Sequence, residues 1–149
     1  MANRSTLIRD ILFFLKEELS TNIVDPISAT RGLSSKFIMT SFPEREVRYP
    51  LITLEVTNME ESRAGMQSIN MDVTLEVAVR IWSKSVAQSD QLSQTILDFL
   101  ANIQFDVGSG SIANDFHDFN VGSVLRSDEP GEGGIKSRII QLNYRFFNL

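Results

Sequence analysis

The sequence has no cysteine and only one histidine, His117, among its 149 residues. Without cysteine there is no disulfide framework, no thiolate nucleophile and no zinc site built on sulfur ligands. With a single histidine, nucleophilic catalysis is left with unusual arrangements such as a Ser–Lys pair, and no Gly-x-Ser-x-Gly elbow is present. The sequence therefore predicts no catalytic residue, no bound cofactor and no enzymatic activity.

Positive charge and long apolar runs are also scarce. The 14 Lys and Arg residues stand against 19 Asp and Glu, so the net charge is -5 at pH 7, which argues against strong sequence-independent binding to duplex phosphate. No stretch approaches the roughly 18 uninterrupted apolar residues of a transmembrane helix. The first apolar run is broken by Arg9 and Asp10 and then by residues 16–18, a pattern unlike a secretion signal. We therefore expect a chain that remains where it is synthesised and does not enter a membrane.

The single histidine lies in a segment that loosely imitates a metal site. Asp115 and Asp118 stand on either side of His117. Side chains one and two residues apart diverge unless the backbone curls around an ion, so this spacing is a weak metal-binding signal. We interpret His117 as a solvated loop residue and predict no metal site.

Two glycine-rich segments and three pairs of adjacent carboxylates are the remaining candidates for a phosphate-binding loop or an acid–base pair. Neither residues 108–110 nor residues 131–134 lie between a strand and a following helix, as a phosphate-binding loop must, so both are interpreted as turns. The carboxylate pairs are Glu17-Glu18, Glu60-Glu61 and Asp128-Glu129. They are interpreted as solvated faces. The alternative is an acidic loop that meets a basic patch on a neighbouring subunit, because complementary charges fix the register between partners.

Apolar residues at three- and four-residue spacing predict two amphipathic helices. The first follows the capping residues Ser5 and Thr6 and runs to about Leu19. The second follows cap residues within 83–89 and runs to about Ile103. Residues 21–35, which are rich in Ser, Thr, Asp, Pro and Gly and show no periodicity, are predicted to form a loop or an extended excursion.

Five strands are predicted, at residues 37–42, 51–57, 69–82, 119–126 and 135–147. In the third, every odd position from Ile69 to Ile81 is apolar, so this strand has one buried face. A polar connection over residues 59–68 precedes it. This arrangement predicts an antiparallel β-hairpin whose tip projects beyond the domain.

The order of elements is helix, two strands, a long strand, helix and two strands. It predicts an α+β fold in which two helices pack on one face of a mainly antiparallel sheet. The length, with 42% hydrophobic and 22% charged residues, fits one globular domain over residues 1–149, and no internal repeat is present.

Several segments resemble the tail terminator, or tail completion, family of long-tailed bacteriophages and related viruses. The resembling features are the short leading amphipathic helix, the Phe42-Pro43 pair followed by Tyr49-Pro50-Leu51-Ile52-Thr53-Leu54-Glu55, the long strand ending in Val79-Arg80-Ile81-Trp82-Ser83, and the helix that follows at once. Together they cover nearly the whole chain. The family has no short invariant signature whose residues could be carried over one by one.

The resemblance implies a virion structural protein of the tail or neck, assembled in the host cytoplasm. Such proteins form a ring, usually hexameric, on the head-proximal end of the tail tube, where the ring stops tube polymerisation and joins the tail to the neck and head. The partners implied are further copies of the chain, the tail tube protein and a neck or connector protein. A sheath protein is a further candidate partner. DNA is implied only as a passenger through the lumen.

Candidate interface residues follow from the predicted elements. A ring closed by head-to-tail contacts needs two different complementary patches on each subunit. The hairpin tip, which could reach the tube, offers Glu60, Glu61, Arg63 and Met66. The end of the last strand, which could extend a neighbour's sheet or groove, offers Arg145, Phe146 and Phe147. Trp82, at a strand terminus, is an interface anchor or a core residue.

Three other functions compete with this hypothesis. A head–tail adaptor or a sheath-capping neck protein is a related structural role. A small non-viral α+β ligand-binding domain is the candidate from a different class, because fold does not dictate function, but the sequence offers no set of convergent polar groups for it. A nucleic-acid-binding module is disfavoured by the acidic pI of about 4.9.

Overall fold

The computed structural model describes residues 7–31, 36–40, 48–63, 71–105, 118–128 and 134–148. In chain order the elements are α1 (Leu7–Asn22), β1 (Ile38–Met39), β2 (Leu51–Arg63), β3 (Met71–Ser83), α2 (Val86–Phe105), β4 (Asp118–Asp128) and β5 (Lys136–Asn148). In this part of the chain, two helices and one five-stranded, mostly antiparallel sheet confirm the predicted α+β fold.

The strands lie side by side in the order β1-β2-β3-β5-β4. β1 runs parallel to β2, and the other three neighbouring pairs are antiparallel. β3 pairs with β5 along its whole length, from Met71 opposite Asn148 to Ser83 opposite Lys136. These two strands therefore form the middle of the sheet. β4 is one edge, and β1 with the rest of β2 is the other.

Both helices pack on the same face of the sheet, which we call the helix face. The alternation predicted for β3 holds, since its odd positions from Val73 to Ile81 are almost completely buried. They join one core cluster with side chains from α1, β2, β5 and α2. The helical members of this cluster are Ile11, Leu15, Leu19, Leu92, Ile96 and Leu100. On the other face, which we call the open face, Thr74, Glu76 and Gln141 are exposed.

A hydrogen bond caps the beginning of α2, and an ion pair joins this end of the helix to the sheet. The Ser85 hydroxyl accepts a hydrogen bond from the Gln88 N–H at 3.4 Å, which is an N-cap in the segment predicted to supply one. The buried Arg138 guanidinium of β5 donates from Nε to Asp90 Oδ1 of α2 at 2.8 Å. α2 is therefore held to β5 by a charged pair as well as by its apolar stripe.

The predicted strand boundaries are wrong at two places, the end of β2 and the extent of β1. β2 continues to Arg63, so Met59–Arg63 belong to the strand and not to a connection. The sequence hides this extension because a bulge between Val56 and Asn58 ends the apolar alternation. Within the described residues 36–40, β1 contains only Ile38–Met39, which pair with Ile52 and Thr53 of β2, and residues 41–42 of the predicted strand lie outside the description.

The tip of the predicted hairpin, residues 64–70, lies outside the described residues. β2 and β3 pair antiparallel from Leu51 opposite Trp82 to Arg63 opposite Met71. The projection of the tip beyond the domain therefore stays a prediction. No helix in the described ranges combines the length and the apolar character needed to cross a bilayer.

The segment after α1 is held to the sheet by one buried arginine. Arg31 is 5% exposed, and its guanidinium donates to both carboxylate oxygens of Asp25, at 2.6 and 2.9 Å. It also donates to the carbonyl oxygens of Arg48 and Pro50, just before β2. Burial opposes ionisation of Asp25, but hydrogen bonds from Arg31 and from the Ile27 N–H outweigh burial and lower the pKa of this carboxyl. In the segment predicted as a loop or an extended excursion, residues 21–22 belong to α1, and the described residues 23–31 form a tightly hydrogen-bonded connection.

Candidate assembly surfaces

The metal-like motif around His117 is placed only in part by the structure. Within the described residues, no group of three or more His, Asp or Glu side chains is arranged to hold a metal ion. His117 and Asp115 of the weak metal-like motif lie outside the described ranges, and Asp118 begins β4. The candidate sites that remain are surfaces.

Trp82 lies on the open face and is held by contacts within its own subunit. Its indole Nε1–H donates to Thr53 Oγ1 at 3.0 Å, and the Arg80 guanidinium carbon lies 5.0 Å from its ring centroid. Directly opposite on β2, Leu51 is fully buried. Trp82 itself is half-buried. It therefore covers the end of the open face, and an additional role as an interface anchor stays a prediction.

Arg145 also has a partner within the subunit. Its guanidinium donates to Asp72 with Nη2 to Oδ2 at 2.6 Å and Nε to Oδ1 at 3.0 Å, which joins β5 to β3. These hydrogen bonds lower the pKa of the Asp72 carboxyl. Phe146 and Phe147 continue β5 opposite Val73 and Asp72, and their side chains lie outside the description. The positive charge predicted for this end is therefore balanced by a neighbouring strand.

Replacing Arg145 with alanine should raise the pKa of Asp72 towards its ordinary value of 3.8. Carboxyl NMR titration measures this shift directly. Because both side chains are partly exposed, the free energy of unfolding should fall by less than about 1 kcal/mol. Arg9→Ala is the matched control, since the Arg9 side chain is 78% exposed on α1, and it should leave the Asp72 titration unchanged. An Asp72 pKa that does not respond to Arg145→Ala would contradict the pairing.

The residues predicted to share the hairpin tip do not form one cluster. Glu60 pairs with Thr74 on the open face, whereas Glu61 pairs with the buried Val73 on the helix face. Arg63 is the last residue of β2, and Met66 lies outside the described residues. Glu60 and Glu61 are both exposed, as interpreted from the sequence, but they belong to a strand and project to opposite sides of the sheet, so the alternative of an acidic loop does not hold for this pair.

The outer edge of β4 is a surface that the sequence did not identify. Residues 122–127 are all exposed, and two large apolar side chains among them, Val124 and Leu125, are 44% and 47% exposed. Register places Val124 beside Ile140 on the helix face and Leu125 beside Ile139 on the open face. The sequence predicts a strand here, but only the topology shows that the strand is an edge.

The opposite side of the sheet has a second open edge. β1 covers β2 only at Ile52 and Thr53, so Leu54–Arg63 have no strand beside them in the described part of the chain. Met59 on this edge is 39% exposed and pairs with Leu75, which places it on the helix face. Within the described residues, the sheet therefore has two different edges that lack a neighbouring strand.

Two shallow clefts flank Gln88 at the start of α2. One, of ≈ 340 Å³, is lined mainly by apolar and amide side chains, including Ile23, Val24 and Gln91. The other, of ≈ 540 Å³, includes Arg48 and Lys84. The second cleft also contains Tyr49 and Ser85, and the Ser85 hydroxyl accepts the N-cap hydrogen bond of α2.

Comparison with known proteins gives no family assignment. No protein-family model and no curated protein matches the chain.

Proposed function

We propose that this chain is a ring-forming tail terminator of a long-tailed bacteriophage or related virus. In this role a ring of copies, of which we propose six, caps the head-proximal end of the tail tube, stops tube polymerisation and joins the tail to the neck. The ring belongs to the virion. DNA passes through its lumen without being bound in sequence-specific fashion.

The observation that carries the proposal is the pair of different open edges on one sheet. A subunit that associates through two unlike surfaces makes heterologous contacts, and such contacts close into a ring when the rotation between copies allows it. β4 supplies one surface, and residues 54–63 of β2 supply the other. Exposed apolar residues on both edges, Val124, Leu125 and Met59, favour association over a solitary subunit.

The open face of the sheet is compatible with a wall that DNA slides along. Its exposed side chains include Thr74, Glu76 and Gln141, and the Asp72 carboxylate is neutralised by Arg145. No stripe of unpaired basic side chains follows these described strands, so the face has no strong attraction for phosphate.

The test is assembly with the tail tube protein encoded in the same genome. Light scattering should give the mass of the purified chain alone and after mixing with tube subunits, and negative-stain imaging should show its location. We expect rings, or caps at one end of tubes of uniform length, while tubes polymerised without the chain vary in length. A chain that stays monomeric and ignores tubes would overturn the proposal and favour a head–tail adaptor or a ligand-binding domain.

A further inference from the structure

The edge at β4 has the properties of a strand that is completed by another strand. An edge strand presents N–H and C=O groups that need partners, and proteins usually guard such edges with lysine, proline, bulges or a covering element. β4 contains neither lysine nor proline, and between Gly122 and Ser127 it carries one charged residue, the exposed Arg126. Its bulge lies between Val121 and Ser123, so Ser123–Asp128 remain in regular register with β5. No described strand pairs with this edge, and residues 122–127 are exposed.

The open part of β2 matches β4 in length and regularity. It contains ten residues, Leu54–Arg63, against eleven in β4. Beyond the bulge at Val56, residues Asn58–Arg63 are in regular register with β3. At about 3.4 Å per residue, each edge is roughly 35 Å long, which is ample for a stable strand pair.

The directions of the two edges are also complementary. Three successive antiparallel pairings connect β2 to β3, β3 to β5 and β5 to β4, so β4 and β2 run in opposite directions. When copies are arranged head to tail, β4 of one copy and β2 of the next are therefore antiparallel. Antiparallel pairing is the commoner and slightly more stable arrangement.

Apolar side chains at the two edges lie on the same face. Val124 neighbours Ile140, and Met59 neighbours Leu75, and both neighbours are buried in the helix-face core. A head-to-tail strand pair places Val124 and Met59 on one side of the joined sheet, where they extend the core across the contact. This burial removes two of the large exposed apolar residues of the subunit from water.

We propose that β4 of one copy pairs antiparallel with residues 54–63 of β2 in a second copy, so that the sheet continues from subunit to subunit. The inference rests on the proposed ring, because it takes the partner to be another copy of this chain. A symmetric β4 to β4 pair would leave the β2 edge open and would stop at a dimer. The head-to-tail pair uses both edges and repeats around a closed ring.

Cysteine cross-linking tests the pairing cleanly because the chain has no native cysteine. Exposed open-face positions are available on both strands: Ser123 and Ser127 on β4, and Asn58, Glu60 and Ser62 on β2. The six double variants, each with one cysteine on β4 and one on β2, sample successive registers. A disulfide requires Cα atoms within about 7 Å. At least one double variant should oxidise to a ladder of covalent oligomers, whereas every single variant should stay monomeric on a denaturing gel.

A charged substitution on the β4 edge provides a second test of the strand pairing. Leu125→Lys should weaken association by about tenfold or more, measured as mass against concentration by light scattering. Thr74→Lys is the matched control, because Thr74 is exposed on the open face of an inner strand, and it should leave the mass unchanged. Equal circular dichroism melts would show that both variants fold.

The outcomes distinguish an error in the strand pairing from an error in the terminator proposal. Covalent dimers from single β4 variants alone would show a β4 to β4 contact, and absence of cross-linking in all double variants would show no strand pairing; either result overturns the inference. If rings cap tubes yet no variant cross-links, the terminator proposal stands and the strand pairing is wrong. If the double variants form cross-linked rings that ignore tubes, the pairing stands and the terminator proposal is wrong.

Discussion

Leu75→Asp should remove a large part of the free energy of unfolding of this protein. Leu75 is completely buried at the centre of the helix-face core, where a carboxylate has neither water nor a cationic partner among the core side chains. An unpaired buried charge costs about 5 kcal/mol or more, a large part of the about 5–15 kcal/mol that stabilises an ordinary domain. For a chain of this size the melting temperature should fall by about 10–20 °C, measured by circular dichroism.

The neighbouring residue provides the control for this substitution. Thr74 belongs to the same strand but is exposed on the opposite face. Thr74→Asp introduces the same carboxylate with full access to water and should change the free energy of unfolding by less than about 1 kcal/mol. If both variants were equally unstable, the assignment of the two faces of β3 would be wrong.

Arg31→Ala should destabilise the protein by about 3 kcal/mol, because it leaves Asp25 and two carbonyl groups without their buried donor. Arg31→Lys should recover only part of the loss, since an ammonium group cannot reproduce the two-pronged contact with Asp25. Urea unfolding measures both values. The control is Arg9→Ala, whose side chain is 78% exposed and whose loss should cost less than about 0.5 kcal/mol.

The same network predicts a dependence of stability on pH. The pKa of Asp25 is lower in the folded chain than its ordinary value of 3.8, so ionised Asp25 stabilises the fold above that value. This contribution is lost as the pH falls through the folded-state pKa. Asp25→Asn should therefore be less stable than the parent at pH 7, and the difference should shrink below about pH 4. A difference that stayed constant down to pH 3 would show that Asp25 does not titrate with folding.

The elements with strong periodicity were predictable from sequence. Alternation over Ile69–Ile81 identified β3 and its buried face, and the stripe containing Leu92, Ile96 and Leu100 identified α2. The second half of β2 was not predictable, because both of its faces are polar or exposed once the bulge at Val56 interrupts the pattern. A strand without a buried face has no alternating signal, and only its pairing with β3 defines it.

The exposed edge of β4 was not predictable from local sequence, because the order of the strands in the sheet decides which strand lies at an edge. Val124 and Leu125 look like ordinary strand residues, and their exposure follows only from the position of β4 at an edge. The partner of Arg145 was not predictable from the sequence because Asp72 is distant along the chain, although the two side chains are in contact. Arg31 was hidden for the same reason, since two of its acceptors, Arg48 and Pro50, follow it by many residues.

The place of β5 in the sheet sets the order in which the molecule can fold. β4 is connected to the rest of the sheet only through β5, and β5 pairs with β3 across more than fifty intervening residues. Pairings of such large sequence separation form late, because the entropy of closing the loop is spent before the contact forms. β4 therefore becomes an edge of the sheet only when β5 is already in place. The head-to-tail contact proposed above therefore requires the long-range β3–β5 pairing as well as the local β4–β5 pairing.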